Sequence, residues 1–133
     1  MASFVSANLD HEMSGNFVIF KLDTKIRFEP KEIGHRWLVQ IEFMEEDPVK
    51  DDKLSPMPKA EAFGQADAYL KRHYIIPSKE EIELSFSEEF PQHLVDTEPG
   101  KEEIYAKLQV LPLEAPPGFV AGKTRTNTTI VDV

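Results

Sequence analysis

The sequence FVIFKLDTKIRF, at positions 17–28, alternates apolar and polar side chains with a period of two. One face of the resulting pattern carries Val18, Phe20, Leu22, Thr24, Ile26 and Phe28. The opposite face carries Lys21, Asp23, Lys25 and Arg27. Because successive side chains of a β-strand point to opposite faces, the pattern predicts a strand with one buried and one solvated face. A slip of one residue would expose the apolar set, so a second layer must cover it.

Similar alternation recurs later in the chain and predicts four more strands. These lie at 35–44, 69–76, around 82–86 and around 104–110. Turns rich in Pro and Gly separate them, and no segment has the helical length that a parallel crossover needs. We therefore expect an all-β chain that folds as an antiparallel two-layer β-sandwich, immunoglobulin-like or transthyretin-like in architecture, with at most one short helix.

The same pattern predicts strand partners and a core. The first two strands are expected to pair with each other, and the turn at 77–80 is expected to close a hairpin between the third and fourth strands. The residues predicted to be buried are the inward apolar positions of the strands. They are Val18, Phe20, Leu22, Ile26, Phe28, Trp37, Val39, Ile41, Phe43, Ile82, Leu84, Phe86, Ile104, Leu108 and Val110.

A chain of 133 residues is long enough for one domain with its own core. We predict an N-terminal arm at 1–16, the β-sandwich domain at 17–111, and a proline-rich linker followed by a C-terminal strand or tail at 112–133. The segment 124–133 has high β-propensity because it is rich in Thr and Val. It is expected to pair with a sheet edge in this chain or on another subunit.

Composition excludes several classes of function. The chain has no Cys, which excludes disulfides and Cys-ligated metals. A net charge of −9 with scattered basic residues argues against a nucleic-acid partner. Neither a signal peptide nor an apolar segment of membrane-spanning length is visible, so no membrane association and a cytoplasmic location are the default expectations.

The candidate metal site is the acidic loop at 45–60. Calcium requires six or more oxygen ligands, and Asp47, Asp51 and Asp52 offer carboxylates close together in sequence. The spacing does not match an EF-hand loop, and a solvated acidic loop is the commoner structure for such a segment. Calcium is the one cofactor that the sequence suggests.

No catalytic residues are predicted. The four histidines, His11, His35, His73 and His93, lack the spacing of a local metal clamp. No Ser lies in a Gly-x-Ser-x-Gly turn, and the segment 118–124 is one residue short of the P-loop spacing. Nothing in the chain therefore predicts a hydrolase or a nucleotide site.

The leading functional hypothesis is a non-enzymatic interaction module that binds a protein partner or itself, as a homo-oligomer or a subunit of an assembly. It rests on the β-prone C-terminal segment and on Tyr69 and Tyr105, which are predicted to lie on outer faces. The alternative is a module that binds calcium or a small ligand through the loop at 45–60. An enzyme whose site is assembled from distant loops is the third hypothesis.

Overall fold

The computed structural model describes residues 1–46, 52–53, 70–96, 100–114 and 118–132. Most of them belong to antiparallel strands. The strands are β1 (Ser3–Ser14), β2 (Phe17–Arg27), β3 (Trp37–Glu45), β4 (Asp52–Lys53), β5 (Leu70–Ile75), β6 (Glu81–Pro91), β7 (Glu102–Pro112), β8 (Gly122–Arg125) and β9 (Thr129–Val131). A 3-10 turn (Pro30–Glu32) and one short helix, α1 (Gln92–Val95), complete the described elements. The prediction of an all-β antiparallel sandwich with little helix is confirmed.

Two sheets form the layers of the sandwich. The first has the order β1-β2-β6, and β2 is paired along its full length with both neighbours. The second is built on β3 and β7, which pair with each other. Strands β4 and β5 pair with β3, whereas β8 and β9 pair with β7. Strands β3 and β7 are therefore central, and their outer faces form the middle of an open surface.

The predicted pairing of the first two strands is wrong, because β2 and β3 lie in different sheets. The 3-10 turn and Gly34, with a φ of +86°, carry the chain from one layer to the other. The two strands then face each other across the core. The rings of Phe28 and Trp37 meet edge to face with centroids 5.2 Å apart. Alternation identified the buried face of each strand but not the neighbour that covers it.

The hairpin predicted at 77–80 is also wrong. Strand β5 pairs with β3, while β6 pairs with β2, so this connection crosses between the sheets. Its backbone is held at both ends. The amide of Gly34 donates to the carbonyl of Pro77, and the amide of Phe28 donates to that of Glu80. A turn rich in polar residues suits a crossing as well as a hairpin, because both lie at the surface.

The core matches the predicted residues of β2, β3 and β7, all of which are buried. Phe20, Phe43 and Phe90 form its aromatic centre, with ring centroids 5.3–5.5 Å apart. The predicted core residues of β6 are only half-buried, although they pack against the core; they are Ile82, Leu84 and Phe86. Strand β6 lies at one edge of the described sheet, so these three side chains are covered less completely than those of the central strand β2, whereas Phe90 near the end of β6 is buried.

Both chain ends belong to the sheets. The segment 1–16, predicted as an arm, contains β1, whose inward positions include the buried Leu9. A bulge between Phe4 and Ser6 interrupts the period-two pattern there, and Thr24 Oγ1 donates to the Ser6 carbonyl at 2.8 Å. The C-terminal segment makes its ladder with β7 of the same chain and buries Val131 in the core.

Candidate functional site

A cleft of about 470 Å³ lies on the outer face of the second sheet, across β3, β7 and β8. Polar and charged side chains make up most of its lining. The lining residues are Gln40, Glu42, Lys107, Leu108, Gln109, Lys123, Thr124 and Arg125. Their convergence follows from the strand register, because the outward residues Lys107 and Gln109 of β7 each lie beside one residue on β3 and one on β8.

Four outward residues of β7 and β8 form the basic part of this cleft. Lys107 lies opposite Arg125, and Gln109 lies opposite Lys123. We call these four residues the β7–β8 cluster. Three of the four are cations, although the whole chain has 15 basic and 24 acidic residues. The cluster is therefore a local concentration of positive charge in a chain whose net charge is −9.

Arg125 is held in place by several groups. Its Nη2 donates to Glu46 and, at 3.1 Å, to Thr128 Oγ1. The guanidinium carbon lies 3.6 Å from the centroid of the Tyr105 ring, a cation–π contact. Tyr105 shares the outward face of β7 with Lys107, and beneath this contact its side chain is only 3% exposed.

The two lysines of the cluster differ from Arg125. Lys107 and Lys123 are exposed, and within the described part of the chain neither has an ion-pair partner. By contrast, Lys21 pairs with Glu12 at 3.1 Å and Lys71 pairs with Glu88 at 2.7 Å. Lys107 and Lys123 are therefore available to an anion from outside the chain.

An apolar area adjoins the cleft on the same face. Leu38 lies between Tyr74 on β5 and Leu111 on β7, and Tyr74 is 66% exposed. Ile76 and Leu113, which directly follow β5 and β7, are 62% and 43% exposed. We call these five residues the apolar end. Exposed apolar side chains that lie together on one face are typical of interaction surfaces.

The predicted calcium site falls largely outside the part of the chain that the structure describes. Asp47 and Asp51 lie outside the described residues, as does Tyr69, and Asp52 pairs with Glu45 as part of β4. The described residues contain no group of three or more His, Asp or Glu side chains that could hold a metal ion. The calcium site stays a prediction.

The histidines lie apart, and three of them have separate local partners. His11 Nδ1 is hydrogen-bonded to Thr129 Oγ1 at 2.6 Å, and His73 contacts the edge of the Phe86 ring. His35 Nδ1 lies 2.7 Å from Glu114 Oε2. This hydrogen bond, together with those from Arg36, lowers the pKa of the Glu114 carboxyl from its usual value of 4.5.

The segment 118–124 does not form a phosphate-binding loop. Gly122 and the two residues after it belong to β8, so their backbone is paired with β7. A side chain at Gly122 would place its Cβ 2.5 Å from the Ala2 carbonyl oxygen. The glycine therefore allows the N-terminal backbone to approach β8 closely, and this packing requirement explains its position.

Sequence reasoning missed the β7–β8 cluster. The polar face of β7 was visible in the alternation, and the basic residues of 123–125 were visible as a short run. Their meeting depends on the pairing of β7 with β8, which lies beyond a proline-rich segment. No local pattern specifies that pairing.

Comparison with known proteins shows the fold alone. No protein-family model and no curated protein sequence matches the chain. Among solved structures, a glycosyl hydrolase family 2 member from Bacteroides cellulosilyticus is similar over 98% of this chain, with a TM-score of 0.58 and 5% identity. This chain spans 15% of the length of that protein. A Bordetella pertussis protein assigned as ApaA has a TM-score of 0.37 and 8% identity over 99% of this chain and 91% of its own.

In the parts of the chain that the structure describes, no helix combines the length and the apolar character needed to cross a membrane.

Proposed function

We propose that this protein is a non-enzymatic interaction module that self-associates through strand β5 and the apolar end of the second sheet. The observation that carries the proposal is the high exposure of Tyr74 and Ile76 beside an edge strand. Among the described strands, β5 pairs with β3 alone. Its other side can therefore accept an added strand, and apolar side chains on the outer face can be buried by the same contact.

Pairing between two copies of the chain is more favourable at the β5 edge than at the β6 edge. In an antiparallel β5–β5 pair centred on Tyr74, the two Tyr74 rings face each other and Arg72 lies opposite Ile76 of the other copy. No like charges meet in that register. A β6–β6 pair centred on Ser85 would place Glu81 opposite Glu89, and opposed like charges destabilise antiparallel pairs. Two-fold dimers, in which one surface patch contacts the same patch of the other copy, are the commonest soluble oligomers.

Size-exclusion chromatography with light scattering tests the proposal on the full chain. We expect the wild-type protein to be a dimer at high micromolar concentration and Tyr74→Asp to be a monomer, because an aspartate at the contact would be buried beside its counterpart. The matched control is Ile130→Asp, since Ile130 is 55% exposed and lies on β9. A monomeric wild-type protein, or equal dissociation of both variants, would overturn the proposal.

A further inference from the structure

We propose that the β7–β8 cluster is a binding site for a small multivalent oxyanion, a phosphate or a polycarboxylate. The site lies on the same face as the apolar end but uses different residues, and it does not depend on self-association. It is built from Lys107, Lys123 and Arg125, with the amide side chains of Gln40 and Gln109 beside them.

The arrangement of charge is the first argument. Lys107 lies directly opposite Arg125, and Lys123 is two residues from Arg125 on the same strand face. Side chains directly opposite in an antiparallel pair have Cβ atoms about 5 Å apart, and like charges placed there repel each other. Glu46 already compensates part of the Arg125 charge, so Lys107 and Lys123 carry the uncompensated positive charge of the cluster. An oxyanion between the three side chains would make attractive contacts with all of them.

Arg125 is positioned for a ligand before any ligand binds. Its contacts with Glu46, Thr128 and the Tyr105 ring fix the guanidinium group over β7, and these hydrogen bonds use Nη2. Nε lies 3.4 Å from the Thr126 carbonyl oxygen. Among contacts with the described residues, Nη1 is therefore the nitrogen left to donate to an anion. Little further side-chain entropy is lost when a fixed guanidinium group binds an oxyanion.

Glu42 and the shape of the cleft define where the anion lies. Glu42 is opposite Lys107 on β3, and its carboxylate repels an anion from that side. The anion is therefore expected on the β8 side of Lys107, toward Lys123. In the next cross-strand row, Gln40, Gln109 and Lys123 lie side by side and supply amide and ammonium donors. A volume of about 470 Å³ is within the range of small-molecule sites.

Calorimetric titration with sodium pyrophosphate and with sodium citrate, at ionic strength fixed with sodium chloride, tests the site. We expect saturable binding of at least one probe at one equivalent per chain. Because a charge-assisted hydrogen bond contributes a factor of ten or more, Lys107→Gln and Lys123→Gln should each raise the Kd about tenfold. The matched control is Lys21→Gln, an exposed lysine on the first sheet, which should leave the Kd unchanged.

The outcomes separate the ligand classes and the two proposals. Tighter binding of pyrophosphate assigns the site to phosphate groups, and tighter binding of citrate assigns it to carboxylates. The same titration on Tyr74→Asp should give the wild-type Kd, so a failure of self-association leaves this result unaffected. The inference is overturned if neither probe gives saturable heat at millimolar concentration, or if the two cluster variants bind as the Lys21→Gln control does.

Discussion

The difference between the buried and outward residues of the strands should be measurable one side chain at a time. Ile41 is fully buried between the sheets, whereas Lys25 on β2 points outward and pairs with Glu83 at 3.4 Å. Ile41→Ala should cost about 2–5 kcal/mol through lost burial and the cavity left behind. Lys25→Ala should cost less than about 1 kcal/mol, since exposed ion pairs contribute little.

Urea denaturation of both variants measures these two losses directly. Unchanged denaturant slopes would show that the losses reflect native-state stability. Equal losses at the two positions would contradict the assignment of the strand faces.

A second residue-scale prediction concerns acid stability near Glu114. The hydrogen bond with His35, followed by those with Arg36, lowers the pKa of Glu114 in the folded protein. Its contribution to stability is therefore complete above the usual value of 4.5 and is lost as the pH falls through the lower folded pKa. Glu114→Gln should be less stable than wild type at neutral pH, and the difference should shrink below pH 4.5.

Thermal melting of wild type and Glu114→Gln across the acid range provides the measurement. Parallel curves, with a constant gap in melting temperature from neutral to acid pH, would show that the carboxylate does not carry this linkage.

At the scale of elements, the side chain of Asn127 hydrogen-bonds the outer edge of β1 as the backbone of a neighbouring strand would. Asn127 Oδ1 accepts from the Leu9 amide at 2.8 Å, and its Nδ2 donates to the Leu9 carbonyl at 2.9 Å. Two positions along, His11 is bonded to Thr129. These contacts satisfy backbone groups that an edge strand would otherwise present to other chains.

Asn127→Ala should therefore destabilise the protein by about 1–3 kcal/mol, the loss of two hydrogen bonds to backbone groups. Asn8→Ala is the matched control, because Asn8 is exposed on β1. This substitution should lower the free energy of unfolding by only a few tenths of the loss in Asn127→Ala. Amide hydrogen exchange at Leu9 should accelerate in the first variant alone. If the Leu9 amide were protected from exchange equally in Asn127→Ala and wild type, the two Asn127–Leu9 hydrogen bonds would have no role in holding β1.

The sequence predicted the buried face of each strand better than it predicted which strands lie next to each other, and the reason is physical. The inward positions of β2, β3 and β7 follow from a period of two, which is a local property of the chain. The separation of β2 from β3 depends on which apolar faces cover each other, a non-local choice. Strand β1 escaped prediction because the bulge at Val5 breaks the alternation there. The β7–β8 cluster could not be predicted either, because its residues come together only through the non-local pairing of β7 with β8.

For the whole molecule, the C-terminal segment is the element that joins the two layers. It extends the second sheet through β8 and β9, and its Asn127 binds β1 of the first sheet. Phe119 stacks on Trp37 at 5.5 Å between ring centroids and covers one end of the core. The segment therefore has the role of a closing strand within one chain.

Deletion of residues 119–133 should abolish the cooperative fold. It removes the buried side chain of Val131, which contributes about 1.5–3 kcal/mol, the partly buried ring of Phe119, and the ladders on β7. Total stabilities of small domains are about 5–15 kcal/mol, so the remaining chain would have little or none. Deletion of residues 132–133 is the control, because it shortens the chain but leaves β9 intact.

Near-ultraviolet circular dichroism and thermal melting distinguish the two deletions. The longer deletion should lose the signal from the packed Trp37 and expose the edge of β7, which makes aggregation the expected fate of the truncated chain. The shorter one should melt as wild type does. If the chain ending at 118 kept the wild-type melting temperature, the two sheets would be held together by the β2, β3 and β7 core alone, and the C-terminal strands would be an addition to a fold already complete.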